Sequence, residues 1–180
     1  RGALGAQGVL TVVVAAPPGW IDDTMGLTEP LSRAHGIPVQ VVPGGAERGD
    51  SVLVAVRWLP EECDVVLVHD AARAFASSRL FDRVAAAVTE QSPAVVPGEQ
   101  VVDTIKVVDE TGHVIATPDR ATLRAVQTPQ GFRRDVLLAA HAAYGRLATD
   151  DAGLVARLGR PVARHPGGAN AFTRAPFTSP

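Results

Sequence analysis

The sequence predicts an α/β domain built on a mostly parallel sheet, and three observations carry that expectation. Valine-rich runs recur at Val9 to Ala16, Val39 to Val42, Val65 to His69 and Ala94 to Val96. Stretches with apolar residues at helical spacing separate them, and strand, helix, strand closes most readily as a right-handed parallel crossover. The run Val65-Val66-Leu67-Val68 leads into His69-Asp70-Ala71-Ala72-Arg73. Parallel strands covered on both faces read as continuous Val/Leu, and open α/β sheets bind ligands beyond the carboxyl ends of such strands.

The first strand, Val9 to Ala16, stops at Pro17-Pro18-Gly19, and the glycine and proline between Trp20 and Gly36 leave only a short helix there. After the second strand, Gly44-Gly45 precedes a helix capped by Asp50 or Ser51, with Val52, Val56 and Leu59 on one face. Ser77 or Ser78 caps the helix that follows the third strand, and its apolar face is Leu80, Val84, Ala87 and Val88. From Val101 to Val126 the texture changes to alternation with a turn at Glu110-Thr111-Gly112, a hairpin signal inside an α/β chain. This arm reads equally as a contact with a second subunit or as an antiparallel flap on its own molecule. Helices over Arg134 to Tyr144 and Asp150 to Leu158, the second capped by Thr149 or Asp150, precede a last strand at Val162 to His165. The tail Ala171 to Pro180 carries no periodicity. No repeat or linker divides the chain, so residues 1–180 read as one domain.

At 180 residues and 46% apolar content the chain suffices for one ordinary core, and a formal charge of −2 leaves no electrostatic footprint for nucleic acid. No apolar run is long enough to span a bilayer, so no membrane partner is expected and a small soluble ligand is favoured. Cys63 is the sole cysteine, which rules out an internal disulfide, suits a cytoplasmic location and leaves a packing residue. Arg1 stands where an initiator methionine is expected, nothing resembles a signal peptide, and a strand pattern begins almost at once, as at a cut end. Gly2, Gly5 and Gly8 precede a strand, so they are no dinucleotide fingerprint and read instead as the end of a helix.

Three constellations suggest chemistry. Asp70 and Arg73 stand where a site is expected, with a strand-closing ion pair as an equal reading. Gly44-Gly45-Ala46-Glu47-Arg48-Gly49-Asp50-Ser51 joins strand to helix, where glycine lets a ligand approach the backbone and the helix amides donate to anions; a bare turn with Ser51 as cap fits the spacing as well. Thr128-Pro129-Gln130-Gly131-Phe132, after Arg120 and Arg124, gathers hydroxyl, amide and guanidinium donors suited to an anionic substrate. Thr149-Asp150-Asp151 starts a helix, where two carboxylates serve better as caps than as an anion site, and His69 reads as packed. No Ser/His/Asp order, HExxH or Walker pattern is present.

Together, Val-Pro-Gly-Gly-Ala-Glu-Arg-Gly-Asp-Ser-Val at 42–52, Val-His-Asp-Ala-Ala-Arg at 68–73, Asp-Thr-Ile-Lys at 103–106 and Ala-Val-Gln-Thr-Pro-Gln-Gly-Phe at 125–132 resemble one family, 2-C-methyl-D-erythritol 4-phosphate cytidylyltransferase, in its actinobacterial form. The resemblance spans roughly Val9 to Ala171. It implies a Rossmann-like nucleotidyltransferase fold, a homodimer made partly by the arm, magnesium as cofactor, and transfer of CMP from CTP to the methylerythritol phosphate with release of pyrophosphate, in non-mevalonate isoprenoid synthesis. By position it implies that Gly45 and Ser51 hold the cytidine end, that Asp70 and Ala71 line the ribose and metal region, and that Arg73, Thr104, Arg120, Thr128 and Thr149 hold the methylerythritol phosphate. Arg120 positions the phosphate and is the catalytic candidate; Thr104 and Arg120, on the arm, are expected in the partner subunit's site.

The family also carries an N-terminal strand and a glycine-rich loop whose arginine and lysine bind the triphosphate, and this sequence starts downstream of them. Loss of such preorganised cations predicts little or no turnover by the chain as given. The family continues from Ala-Phe into a lysine, whereas Phe172 is followed here by Thr173 and Arg174. Two other readings accompany the resemblance: a ribitol-5-phosphate cytidylyltransferase, and a non-catalytic remnant that only binds nucleotide.

Overall fold

The computed structural model describes residues 1–144, 150–171 and 173. Nine strands and five helices alternate along them: β1 (Val12–Ala16), α1 (Ile21–His35), β2 (Val39–Pro43), α2 (Arg48–Arg57), β3 (Val65–Val68), α3 (Ser78–Ala87), β4 (Ala94–Gln100), β5 (Val107–Val108), β6 (Val114–Ala116), β7 (Arg124–Val126), β8 (Gln130–Arg133), α4 (Arg134–Tyr144), α5 (Asp151–Arg157) and β9 (Val162–Pro166). The order is the one that the apolar periodicity predicts except at β8, which the sequence leaves as an irregular donor-rich stretch.

β1 pairs β2 in parallel, and β4 pairs β9 in parallel. β8 lies between β3 and β4, antiparallel to both, and β7 runs antiparallel to β4. The strands β3, β4 and β9 therefore run one way, and β7 and β8 run against them. The reversed β8 has a consequence for the site: its first residue, Gln130, sits beside the last residue of β3, Val68.

Alternation along each strand divides the core between two faces. Val66, Ala94, Val96 and Phe132 pack with Leu137, Ala140 and Val155 from α4 and α5, and Val56 of α2 joins them. On the other face Val95 meets Leu80, Phe81 and Val84 of α3. Phe132 is fully buried between its cross-strand partners Val66 and Ala94.

Between β1 and β3 the sheet is open. Among the described residues β1 pairs with β2 alone and β3 with β8 alone, and a cavity of about 770 Å³ separates their facing edges. Val12, Val14, Val66, Leu67 and the α2 residues Val52 and Ala55 contribute to its wall. This explains why Val65 is 37% exposed although the sequence reads as a fully covered strand. Cys63, expected as a packing residue, is half-buried on the same wall.

Two local expectations need correction. The segment after Trp20 forms a 15-residue helix that runs through Pro30. A proline costs the bond to the carbonyl four residues back, but α1 lies at the surface with no buried residue, and side chains support it: Thr24 and Thr28 donate to carbonyls one turn earlier, Ser32 to Ile37 O. It ends on Gly36 at φ 66°. The α2 helix starts before the expected caps, at Arg48, because Glu47 takes the cap position and its backbone N–H donates to the Asp50 carboxylate at 3.3 Å, one half of a capping box. At the start of the chain Gly2 precedes, Gly5 ends and Gly8 follows a single 3₁₀ turn at Ala3–Gly5.

The arm is real but short. Asp109 accepts from the Thr111 amide and hydroxyl and from the His113 amide, which closes the turn between β5 and β6, and Gly112 occupies it at φ 86°. The return strand β7 leaves the arm and joins the main sheet. The C-terminal tail beyond Thr173 lies outside the described residues.

Candidate active site

The site lies where the carboxyl ends of β2 and β3 meet the amino end of β8. Beyond β2, the loop at Gly44 to Ala46 folds back on α2: the Gly45 amide donates to Ser51 Oγ at 3.0 Å, and the Ser51 hydroxyl donates to Glu47 O. A Cβ at Gly45 would stand 2.3 Å from Asp50 Cβ, so this close approach admits only glycine. Gly45 and Ser51 are thus brought together, and Ser51 is not the helix cap.

Beyond β3, the Asp70 amide donates to Thr128 Oγ1 at 3.0 Å, and the same hydroxyl shares a 3.0 Å hydrogen bond with His69 Nδ1. Thr128, just before β8, is 3% exposed. Burial lowers the His69 pKa, against the opposing pull of Asp70, so His69 is a packed, neutral group at pH 7 as the sequence suggests. Its ring stands edge-on to Phe81 at 4.9 Å.

Asp70 and Arg73 do form an ion pair, but a long one, 3.8 Å from Arg73 Nε. Arg73 spends its other donors on backbone, with Nη1 on Ala171 O at 2.7 Å and Nη2 on Val126 O at 3.4 Å. The nearer cation to Asp70 is Arg48, whose Nη2 lies 3.4 Å and Nε 3.5 Å from Oδ1. Arg48, Asp70, Arg73, Gln127, Thr128 and Gln130 are among the residues around a cavity of about 190 Å³. Arg48, Ser51, Asp70 and Ala71 also reach the larger cavity, so the two openings share Arg48 and Asp70.

Sequence reasoning missed Arg48 and its support. Arg48 Nη1 donates to Asp151 Oδ2 at 2.7 Å, and the other oxygen of Asp151 takes a 2.8 Å hydrogen bond from His141 Nε2. The sequence reads both acidic residues of the Thr149-Asp150-Asp151 stretch as caps of α5; only Asp150 is one, accepting from the Gly153 amide, while Asp151 is 1% exposed and ion-paired. A charged residue in the first turn of a helix that follows a glycine-rich loop was the available signal for Arg48. For Asp151 there was none, because its partner lies 103 residues away.

Burial works to raise the Asp151 pKa, but the His141 hydrogen bond and the Arg48 charge outweigh it and hold the carboxyl below the usual aspartate range. A depressed folded-state value contributes stability that is complete above the unfolded value of about 3.9 and is lost as pH falls through the folded one. Acid titration of stability should therefore decline below about pH 4, and Asp151→Asn should flatten that limb. Identical acid limbs in urea titrations of the two proteins would disprove the ion pair's contribution.

Thr104 and Arg120 are not brought to this cavity within one chain. Both are exposed on the arm, and Arg120 Nη1 donates to Val102 O. Thr149 lies outside the described residues.

Residues 1–175 match the family model "IspD: 2-C-methyl-D-erythritol 4-phosphate cytidylyltransferase". The chain belongs to the IspD family. It is 52% identical over 164 residues to the 2-C-methyl-D-erythritol 4-phosphate cytidylyltransferase of Frankia casuarinae, covering 91% of this chain and 59% of the relative. To the enzyme of that name from Saccharopolyspora erythraea it is 51% identical over 176 residues, covering 96% and 76%. Both sources are actinobacteria, in line with the expected form of the family. Among solved structures, the crystal structure of the 2-C-methyl-D-erythritol 4-phosphate cytidylyltransferase from Thermus thermophilus superposes with a TM-score of 0.74 at 38% identity, over 93% of this chain and 76% of that one. The α/β nucleotidyltransferase fold expected from the motifs is thereby that of the IspD family.

Proposed function

We propose that this chain supplies the site for transfer of CMP from CTP to 2-C-methyl-D-erythritol 4-phosphate, with release of pyrophosphate. Family membership supports the reaction, and the observation that carries it to these residues is the convergence of Arg48, Asp70, Arg73 and Thr128 on one cavity at the strand ends. A phosphate oxygen of the acceptor attacks the α-phosphorus of CTP, a new P–O bond forms, and the bond to pyrophosphate breaks with its electron pair leaving on pyrophosphate. Such a displacement needs alignment and charge neutralisation rather than a protein nucleophile. Arg48 and Arg73 provide fixed positive charge, and Thr128 ties the Asp70 backbone to β8 so that both guanidinium groups keep their places.

The residues fit magnesium bound jointly with a triphosphate. The Asp70 carboxylate opens on both cavities, and its guanidinium contacts of 3.4–3.8 Å are long, while the described residues contain no cluster of three or more acidic, histidine or cysteine groups. Magnesium commonly takes one or two carboxylates and completes its shell with phosphate oxygens and water. Asp70 would hold it, and the ion would supply further neutralisation of phosphate charge.

The arm is read as a homodimer contact that delivers Thr104 and Arg120 to the partner's acceptor phosphate. Val102, Val108, Val114 and Ile115 are all more than half exposed on it, an apolar surface that a second copy would cover. Sedimentation should show a dimer that Ile115→Asp dissociates; a monomeric parent, or an unaffected dimer, would contradict this role. The relatives compared above do not favour the ribitol-phosphate reading. A cytoplasmic location follows from this reaction, and no described helix is long and apolar enough to cross a membrane.

A further inference from the structure

A histidine and an aspartate without solvent access lie behind the cavity. His141 and Asp151 side chains are 0% and 1% exposed, whereas the Arg48 side chain is 39% exposed. An isolated buried carboxylate is costly, so Asp151 must be paired, and both its oxygens are: Oδ1 to His141, Oδ2 to Arg48. Hydrogen bonding on both sides fixes the carboxylate, and the carboxylate in turn fixes one corner of the guanidinium. The rest of that guanidinium, Nε and Nη2, holds Asp70 only loosely at 3.4–3.5 Å and faces the two cavities.

The geometry points to Arg48 as a phosphate-binding residue whose aim is set from inside the protein by Asp151 and His141. This inference rests on the proposed reaction and deepens it, giving Arg48 a specific phosphate ligand and naming the two buried residues that aim it. Nη1 stays on Asp151 while Nε and Nη2 exchange their long contact with Asp70 for a phosphate oxygen of CTP, which also releases Asp70 toward a metal ion. A guanidinium presents two parallel donors in a fixed plane, so anchoring one nitrogen orients the others, which a lysine at this position could not reproduce. Asp151 and His141 are positioning residues and touch no substrate.

The test is calorimetric titration of the 180-residue chain with magnesium CTP, for the parent, Arg48→Lys, Arg48→Gln, Asp151→Asn, and the double variant Arg48→Gln/Asp151→Asn. Charged hydrogen bonds are worth enough that Arg48→Gln and Arg48→Lys should each weaken CTP binding by about 10- to 100-fold. Asp151→Asn should weaken it similarly, yet add less than about threefold in the Arg48→Gln background, because it acts through the arginine. Unchanged affinity in both Arg48 variants, or an Asp151→Asn effect equally large with and without Arg48, would overturn the inference. If Asp151→Asn or Arg48→Gln fails to fold by circular dichroism, Arg48→Lys decides, since it keeps a cation beside the buried Asp151. A parent chain that does not bind CTP would likewise overturn the inference, because Arg48 would then hold no phosphate in this chain, whereas the reaction itself is judged by pyrophosphate release.

Discussion

Replacing Asp70 with alanine is expected to lower pyrophosphate release by about 100-fold or more, the usual range for losing one preorganised electrostatic group. The measurement calls for a chimera in which this chain is extended by the part of the Frankia casuarinae relative that its 59% coverage leaves out. Asp70 is placed for two tasks. It is the carboxylate shared by both cavities, and it lies within 3.8 Å of both Arg48 and Arg73. Its removal takes away the proposed metal ligand and leaves the two cations to repel each other and shift. The deficit should persist at saturating magnesium and CTP. A kcat/KM within about threefold of the parent, far short of that range, would remove Asp70 from the mechanism and return it to the strand-closing ion pair that the bare sequence equally allows.

The second large effect concerns the scaffold. Phe132→Ala should destabilise the fold by about 3–5 kcal/mol, the range for truncating a fully buried aromatic. Phe132 has no solvent exposure, pairs across β8 with Val66 and Ala94, and packs in the same cluster as Leu137 and Val155. That cluster also carries Val56, on α2, so the helix bearing Arg48 loses support with it. Whole domains are typically stable by only about 5–15 kcal/mol, so a melting point lower by at least about 6 °C is expected for a chain of this size. A shift under about 3 °C by calorimetry would mean that the sheet does not depend on this packing.

Much of this was legible in the sequence, for identifiable reasons. Strands and helices with strong periodicity, such as β3, α3 and α4, stand close to where the apolar spacing puts them, because burial of one face is what selects them. Asp70, Arg73 and Thr128 were legible as candidates because strand ends and irregular donor-rich stretches are where α/β proteins keep sites. The length of α1 was not, since Pro30 is a strong local breaker and the hydroxyl bonds that sustain the helix follow from its conformation. Nor was the Arg48–Asp151–His141 relay. Asp151 looks like any first-turn carboxylate beside Asp150, and only the packing of α4, α5 and α2 around one point shows that Asp150 caps while Asp151 carries buried charge. The roles proposed for Thr104 and Arg120 require a second copy of the chain, so one folded protomer does not display them, and the sequence offers them only through the family resemblance.

Pyrophosphate release bears most directly on the central claim. Given CTP, magnesium and 2-C-methyl-D-erythritol 4-phosphate, the Frankia chimera should release pyrophosphate in step with formation of the cytidylylated acceptor, and should do so far more slowly with ribitol 5-phosphate. A folded chimera that binds CTP but releases no pyrophosphate with either acceptor would contradict the account and leave this chain a nucleotide-binding member of the family.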